Sequence, residues 1–145
     1  MRFRYRSRQV DPLPGEVGPQ FVYEPVVVVR VVGPRGAWLI PGLVDTGGGE
    51  SLIPYRLLDP LGLPVGDRFN LASVTGGVFS ARVGVVDLEL ARDGTISQSV
   101  GFTTTRTRAI WGHAGFLNHF TATFDGRRKS VRLDPNDTFP PRLYA

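Results

Sequence analysis

The chain has 145 residues, 41% hydrophobic and 21% charged, and its net charge of +4 is carried almost wholly by arginine, with Lys129 the lone lysine. That length and balance fit one globular domain with a core of its own, and the lack of cysteine excludes a disulfide framework or a thiolate metal site. No apolar run approaches the ~18 residues that span a bilayer, and Met1-Arg2-Phe3-Arg4 lacks the apolar centre of a signal peptide, so a cytoplasmic location is the expectation.

Glycine (18) and proline (12) are scattered along the chain, which suits short strands joined by turns better than a helical bundle. Met1, Phe3, Tyr5 and Ser7 alternate with Arg2, Arg4, Arg6 and Arg8, the period of a half-buried strand. Its arginine face suits phosphates, an edge whose charges discourage stray pairing, or a dimer interface. Asp11 to Gln20 is an aperiodic loop or arm. Pro25 to Val32 is a β-branched strand, Gly33 to Gly36 a turn, and Ala37 to Val44 the partner strand that ends at Asp45. Pro41 inside that strand implies an edge or a bulge.

Ser51 to Pro54 reads as a short strand, Tyr55 to Asp59 as one helical turn before Pro60, and Gly62 to Gly66 as a turn. Asp67 to Thr75 and Val78 to Leu90 flank a hairpin tip at Gly76-Gly77, with a bulge or bend at Gly84. Asp93-Gly94 turns into a strand over Thr95 to Thr105. Ala109 to Trp111 is an apolar approach to Gly112, and the spacing of Phe116, Leu117 and Phe120 predicts a short helix over His113 to Phe120. Thr121 to Phe124 and Ser130 to Leu133 form a last hairpin about Asp125-Gly126, before an irregular Pro-rich tail from Asp134 to Ala145. The organisation is an N-terminal strand and arm (1–20), one domain (21–134) and a tail (135–145).

The chemistry concentrates where Leu43-Val44 delivers Asp45 into Gly47-Gly48-Gly49 and Leu52-Ile53 leads away. A carboxylate between buried strands is costly unless it is hydrogen-bonded or carries a task. Other chemistries fit poorly. Ile53 stands where a nucleophile elbow around Ser51 needs glycine. The glycines lack the Lys-Ser/Thr of a phosphate loop and the dinucleotide spacing. His113 and His119 are six apart, wrong for two ligands on one helix face, so no metal is expected. The mild, dispersed positive charge does not make nucleic acid the expected partner.

Asp45-Thr46-Gly47, entered through Leu43-Val44, resembles the catalytic loop of aspartic proteases. With one such triplet, the chain resembles the retropepsin-like branch, whose subunits pair to bring two aspartates together. The Gly76-Gly77 hairpin resembles that family's glycine-tipped flap. Ile110-Trp111-Gly112-His113-Ala114-Gly115-Phe116-Leu117 resembles its second apolar-apolar-Gly element, in the Gly-His-x-Gly-Phe-Leu form of bacterial members. The resemblance runs roughly from Val26 to Leu133. It implies an all-β, retropepsin-like acid-protease barrel with one short C-terminal helix, a homodimer without cofactor, and endopeptidase action on extended peptides.

In that reading two Asp45 carboxylates share one proton, one taking a proton from water while the other gives one to the scissile carbonyl. The resemblance makes Thr46 the lock between the two loops and Gly47 the point of close substrate approach. It makes Gly48, Gly49, Glu50, Gly76 and Gly77 the substrate contacts, and Trp111, whose indole supplies a large apolar area, reads either as core or as a pocket wall against the substrate. The chain also departs from the family. Gly48 and Gly49 replace the usual Ala and Asp, His113 replaces the Arg that pairs with that Asp, and Glu50 is left as a substitute. Gly48 offers the dyad no hydroxyl, which implies a working range from mild acid to neutral. His113 reads either as a structural hydrogen-bond donor or as an acid–base group. The alternatives are a catalytically silent dimerisation or peptide-binding module of the same fold, and a nucleic-acid-binding barrel using Arg2, Arg4, Arg6 and Arg8.

Overall fold

In a computed structural model, which describes residues 1–73, 76–90, 94–104 and 108–139, the valine run becomes strand β4 (Val26–Gly33). Before it come β1 (Arg2–Arg4), β2 (Arg6–Val10) and β3 (Gln20–Glu24). After it come β5 (Gly36–Val44), β6 (Leu52–Pro54), a 3-10 turn over Tyr55–Leu57 and helix α1 (Leu58–Leu61). Strands β7 (Arg68–Ala72), β8 (Val78–Glu89), β9 (Thr95–Thr103) and β10 (Ala109–Trp111) follow, then a 3-10 turn over Leu117–His119, β11 (Phe120–Asp125) and β12 (Ser130–Pro135). The fold is all-β apart from these short helical turns.

The largest sheet runs β4-β5-β10-β6-β9-β8-β7, and β4 also pairs with β8 from Arg30↔Glu89 to Val32↔Asp87. That extra pairing closes six strands into a ring and leaves β7 outside it, on the front half of β8. Closure removes the free edges that an open sheet would expose. Val27, Val29, Val31, Ile40, Ile53, Leu88 and Phe102 fill the interior, each buried to 5% exposure or less. A second sheet, β1-β12-β11, adds Val131 and Leu133 to the same core. The β2–β3 pair stands as a two-stranded sheet of its own.

Several expectations change. The N-terminal alternation holds, with Phe3 and Tyr5 packed on the core, but the strand divides at Tyr5. There the chain leaves β12, Tyr5 N–H donating to Lys129 C=O, and pairs next with β3. Strand β3 is an addition, over residues beyond Gln20 to which the sequence pattern assigns no element. Gly84 is no bulge: the register runs unbroken through Gly84↔Val100. A Cβ there would lie 2.6 Å from the Phe102 ring, so glycine makes room for packing. The helix expected over His113 to Phe120 shrinks to the 3-10 turn, because Gly115 sits at φ +85° and Phe120 already begins β11. In the tail, Asp134 and Pro135 extend β12, and Phe139 is buried against Phe120 with ring centroids 5.2 Å apart. Val74, Thr75, Asp93, Thr105 and residues 140–145 lie outside the described residues. Among the described residues no helix is long and apolar enough to cross a membrane.

The order β5-β10-β6 positions the site. β10 runs parallel to β5 and antiparallel to β6, so the chain leaving β5 at Val44 must cross the end of β10 to enter β6. Asp45 to Ser51 is that crossing.

Candidate active site

Asp45 leaves the barrel as a backbone continuation of β5, its N–H donating to Trp111 C=O at 3.1 Å across the parallel pair. The loop then turns on its own carboxylate. Gly47 N–H donates to Asp45 Oδ1 at 2.9 Å, and Gly48 N–H donates to Asp45 C=O at 3.1 Å. Gly47 leaves little room for a side chain, since a Cβ there would sit 3.3 Å from Oδ1, whereas one on Gly48 would meet Oδ2 at an ordinary 3.4 Å. The carboxylate is half-buried, and among the described residues Oδ2 accepts no hydrogen bond. One oxygen is thus held by the backbone, and the other has no protein donor among the described residues.

The loop is braced by the segment that follows β10. His113 N–H donates to Gly48 C=O and Ala114 N–H to Gly49 C=O, both at 2.9 Å. Ser51 N–H returns a bond to Ala114 C=O at 3.1 Å. The Ser51 hydroxyl, 1% exposed, donates to Ala114 C=O at 2.8 Å and accepts from Gly112 N–H at 3.1 Å. Gly112 must be glycine, because a Cβ there would collide with the Glu50 carbonyl and lie 2.7 Å from Gly48 O. His113 Nε2 lies 2.7 Å from the Thr46 carbonyl oxygen. A carbonyl only accepts, so the imidazole carries its proton on Nε2 and donates. Of the two readings of His113, this geometry is that of the structural donor.

Beside the loop lies a groove of about 500 Å³. One wall is Asp45 and Gly47 to Glu50, and the other is the part of the β7–β8 hairpin next to its tip, Leu71 to Ser73 with Phe79. Its floor is a small apolar cluster in which Leu52 and Ile110 are buried and Leu71 and Phe79 half-buried. Glu50 stands exposed at the rim, with no partner for its carboxylate among the described residues.

Of the residues singled out in the sequence, Asp45, Gly47, Gly48, Gly49 and Glu50 share this groove, and Thr46 sits exposed between them. Gly76 and Gly77 lie farther out, exposed at the hairpin end, where Gly77 C=O accepts from Ser73 N–H at 2.7 Å. Gly76 takes φ +87°, a conformation glycine reaches without strain. Trp111 is not brought to the groove. Its indole is fully buried, donates through Nε1 to Val27 C=O at 3.0 Å and stacks on Phe116 at 5.5 Å. It belongs to the main core of the barrel, apart from the cluster that floors the groove.

The groove walls Leu52, Leu71, Phe79 and Ile110 escaped the sequence reading. In the structure Leu71 and Phe79 pair across the hairpin and so fall on one face, a register that the Gly76-Gly77 tip alone does not fix. The crevice between the β2–β3 arm and the barrel holds a different constellation. Glu24 there accepts from Arg108 at 2.7 Å and from Arg8 at 3.0 Å. Those two guanidinium groups, Arg108 foremost, hold its carboxyl down at about 2. Because the acid is already neutralised by two cations, it reads as a structural clamp. No protein-family model matches the chain, and no curated protein matches it.

Proposed function

We propose that the protein is an aspartic endopeptidase of retropepsin-like architecture, working as a homodimer in which two Asp45 carboxylates activate one water. The observation that carries this reading is the placing of Asp45. Its carboxylate is fixed through Oδ1 by Gly47 N–H, leaves Oδ2 without a partner among the described residues, and borders an apolar-floored groove. A carboxylate with one oxygen held by the backbone and the other open beside a groove can meet both a water and a second carboxylate.

Hydrolysis of a peptide without metal or nucleophile needs one group to remove a proton from water and another to protonate the carbonyl oxygen. Two like carboxylates a few ångströms apart cannot both ionise, so a shared proton supplies both roles. One Asp45 per chain makes the second subunit necessary, with a two-fold axis passing between the loops. An extended substrate lies along the loop. The N–H groups of Gly49 and Glu50, which donate to no group among the described residues, are available to its carbonyls. The Gly76-Gly77 hairpin covers it from the other side, and Leu52, Leu71, Phe79 and Ile110 receive an apolar side chain.

The test is hydrolysis of an internally quenched peptide library by the wild type and by Asp45→Asn. The expected result is cleavage inside the peptide by the wild type and a loss of about 10³-fold or more in the variant. Tight peptide binding without cleavage in both proteins would instead identify a silent binding module.

A further inference from the structure

We infer that the β2–β3 arm is the clasp that holds a second copy of this chain. The inference rests on the peptidase reading for its choice of occupant, since that reading needs a partner subunit, but the surface is identified by its own geometry.

A sheet with one face on the core turns its apolar residues inward and its polar residues outward. The arm departs from this, with both of its aromatic residues on the face away from the barrel. The cross-strand register pairs Ser7 with Tyr23 and Gln9 with Phe21 on one face, and Arg6 with Glu24 and Arg8 with Val22 on the other. The face carrying Glu24 and Arg8 is the one turned to the barrel, where both groups meet the Arg108 crevice. The aromatic face is turned from the barrel and leaves Phe21 54% and Tyr23 50% exposed, with the Lys129 ammonium 4.4 Å from the centre of the Tyr23 ring. Within the loop that joins the two strands, Leu13 is 69% and Val17 94% exposed. Large apolar groups gathered on one short arm mark an association surface, and a two-stranded sheet alone is marginal in water.

Three observations select a second copy as the occupant. First, the arm springs from the Asp45 end of the barrel. β3 ends at Glu24, and the next residue, Pro25, accepts from Val44 N–H at 2.8 Å, one residue before Asp45. A partner held by the arm therefore lies at the end where the second carboxylate is required. Second, the two-stranded sheet is unpaired on both outer edges among the described residues, so antiparallel copies can extend it across a two-fold axis. Third, the arm is complementary to itself in charge. Arg6 at its base and Asp11 beyond its tip form no ion pair among the described residues. Two-fold apposition brings the base of one arm to the tip of the other.

The experiment is sedimentation equilibrium of the full chain over a wide concentration range, with far-UV circular dichroism on each variant to establish that it is folded. Phe21→Glu and Val17→Glu each put a charge on an exposed side chain, and the exposed Leu39→Glu, on β5, serves as control. The expected result is a dimer whose dissociation constant rises by about tenfold or more in Phe21→Glu and Val17→Glu and stays within about twofold in Leu39→Glu. A folded Phe21→Glu that dimerises like the wild type overturns the arm, whether or not Asp45-dependent hydrolysis is present. An arm-dependent dimer that cleaves nothing keeps the arm and removes the peptidase. A wild type that is monomeric at the highest concentration overturns both.

Discussion

Ser51→Ala is the substitution that most sharply probes how the Asp45 loop is held. The hydroxyl is 1% exposed and closes two contacts at once, donating to Ala114 C=O at 2.8 Å and accepting from Gly112 N–H at 3.1 Å. Removing it costs those partners unequally. Ala114 C=O keeps the bond from Ser51 N–H at 3.1 Å, so it remains satisfied. Gly112 N–H is buried and has no second acceptor among the described residues. An orphaned buried donor costs about 1–3 kcal/mol, which for a chain of this size lowers Tm by roughly 3–9 °C. Thermal unfolding followed by circular dichroism reads this directly, at one fixed protein concentration because association itself raises Tm. Hydrogen exchange at the Gly112 amide supplies the local readout, with protection falling alongside Tm. A Ser51→Ala protein melting within about 1 °C of wild type, as a variant at the exposed Thr104, Thr104→Ala, is expected to do, would show that the loop is not stitched through this hydroxyl.

Other consequences follow from the same packing. Gly112→Ala drives a Cβ into the carbonyls of Glu50 and Gly48, backbone atoms that cannot rotate away. It is expected to cost about 2–4 kcal/mol and to abolish peptide cleavage, measured by chemical denaturation and the quenched-peptide assay. Gly42→Ala places a Cβ against the Trp111 indole, 2.6 Å from Cε2, and breaks the Nε1–H bond to Val27 C=O. Loss of stability with red-shifted tryptophan emission is expected. Glu24 contributes stability through its depressed acidity. Its folded value of about 2 lies below the ordinary 4.5, so the contribution is complete above pH 4.5 and disappears as pH falls towards 2. The stability gap between wild type and Glu24→Gln should be about 1–2 kcal/mol at pH 6 and close over that acid window. Finally, with no hydroxyl at Gly48 to bond the dyad, the pH–rate profile should peak between mild acid and neutral, and a maximum below about pH 3 would oppose this.

What the sequence made legible was local. Gly33-Pro34-Arg35-Gly36 announces a turn, and the β4–β5 hairpin closes there, at Gly33↔Gly36. Pro41 implied an edge or a bulge; the β4–β5 register runs unbroken through Val28↔Pro41, so there is no bulge, and on its other side the pairing of β10 begins only at Gly42. The glycines around Asp45 drew attention to the loop, although their fit against the carboxylate and the Gly112 segment is a matter of coordinates.

Long-range pairings had no signal in the pattern. Nothing in Arg30 to Val32 foretells that they meet Asp87 to Glu89 and close the barrel. Nor does the three-residue β10 disclose that it lies between two strands from the middle of the chain. Phe116, Leu117 and Phe120 misled for a definite reason. A tight turn entering a strand buries the same three side chains as a helix would, with Phe116 and Phe120 rings 5.2 Å apart. Strand β3 was missed because its alternation places Phe21 and Tyr23 on the solvent side, against the expectation that apolar residues face a core.

The central claim is that one active site is built from two chains, and subunit mixing tests it most directly. Equal amounts of wild type and Asp45→Asn are allowed to exchange subunits, and peptide cleavage is compared with wild type alone at the same total concentration. A dyad shared across the two-fold axis predicts about one quarter of the activity, since random pairing leaves about that fraction of dimers with both carboxylates. About one half would mean that each chain acts by itself, and would contradict the shared site.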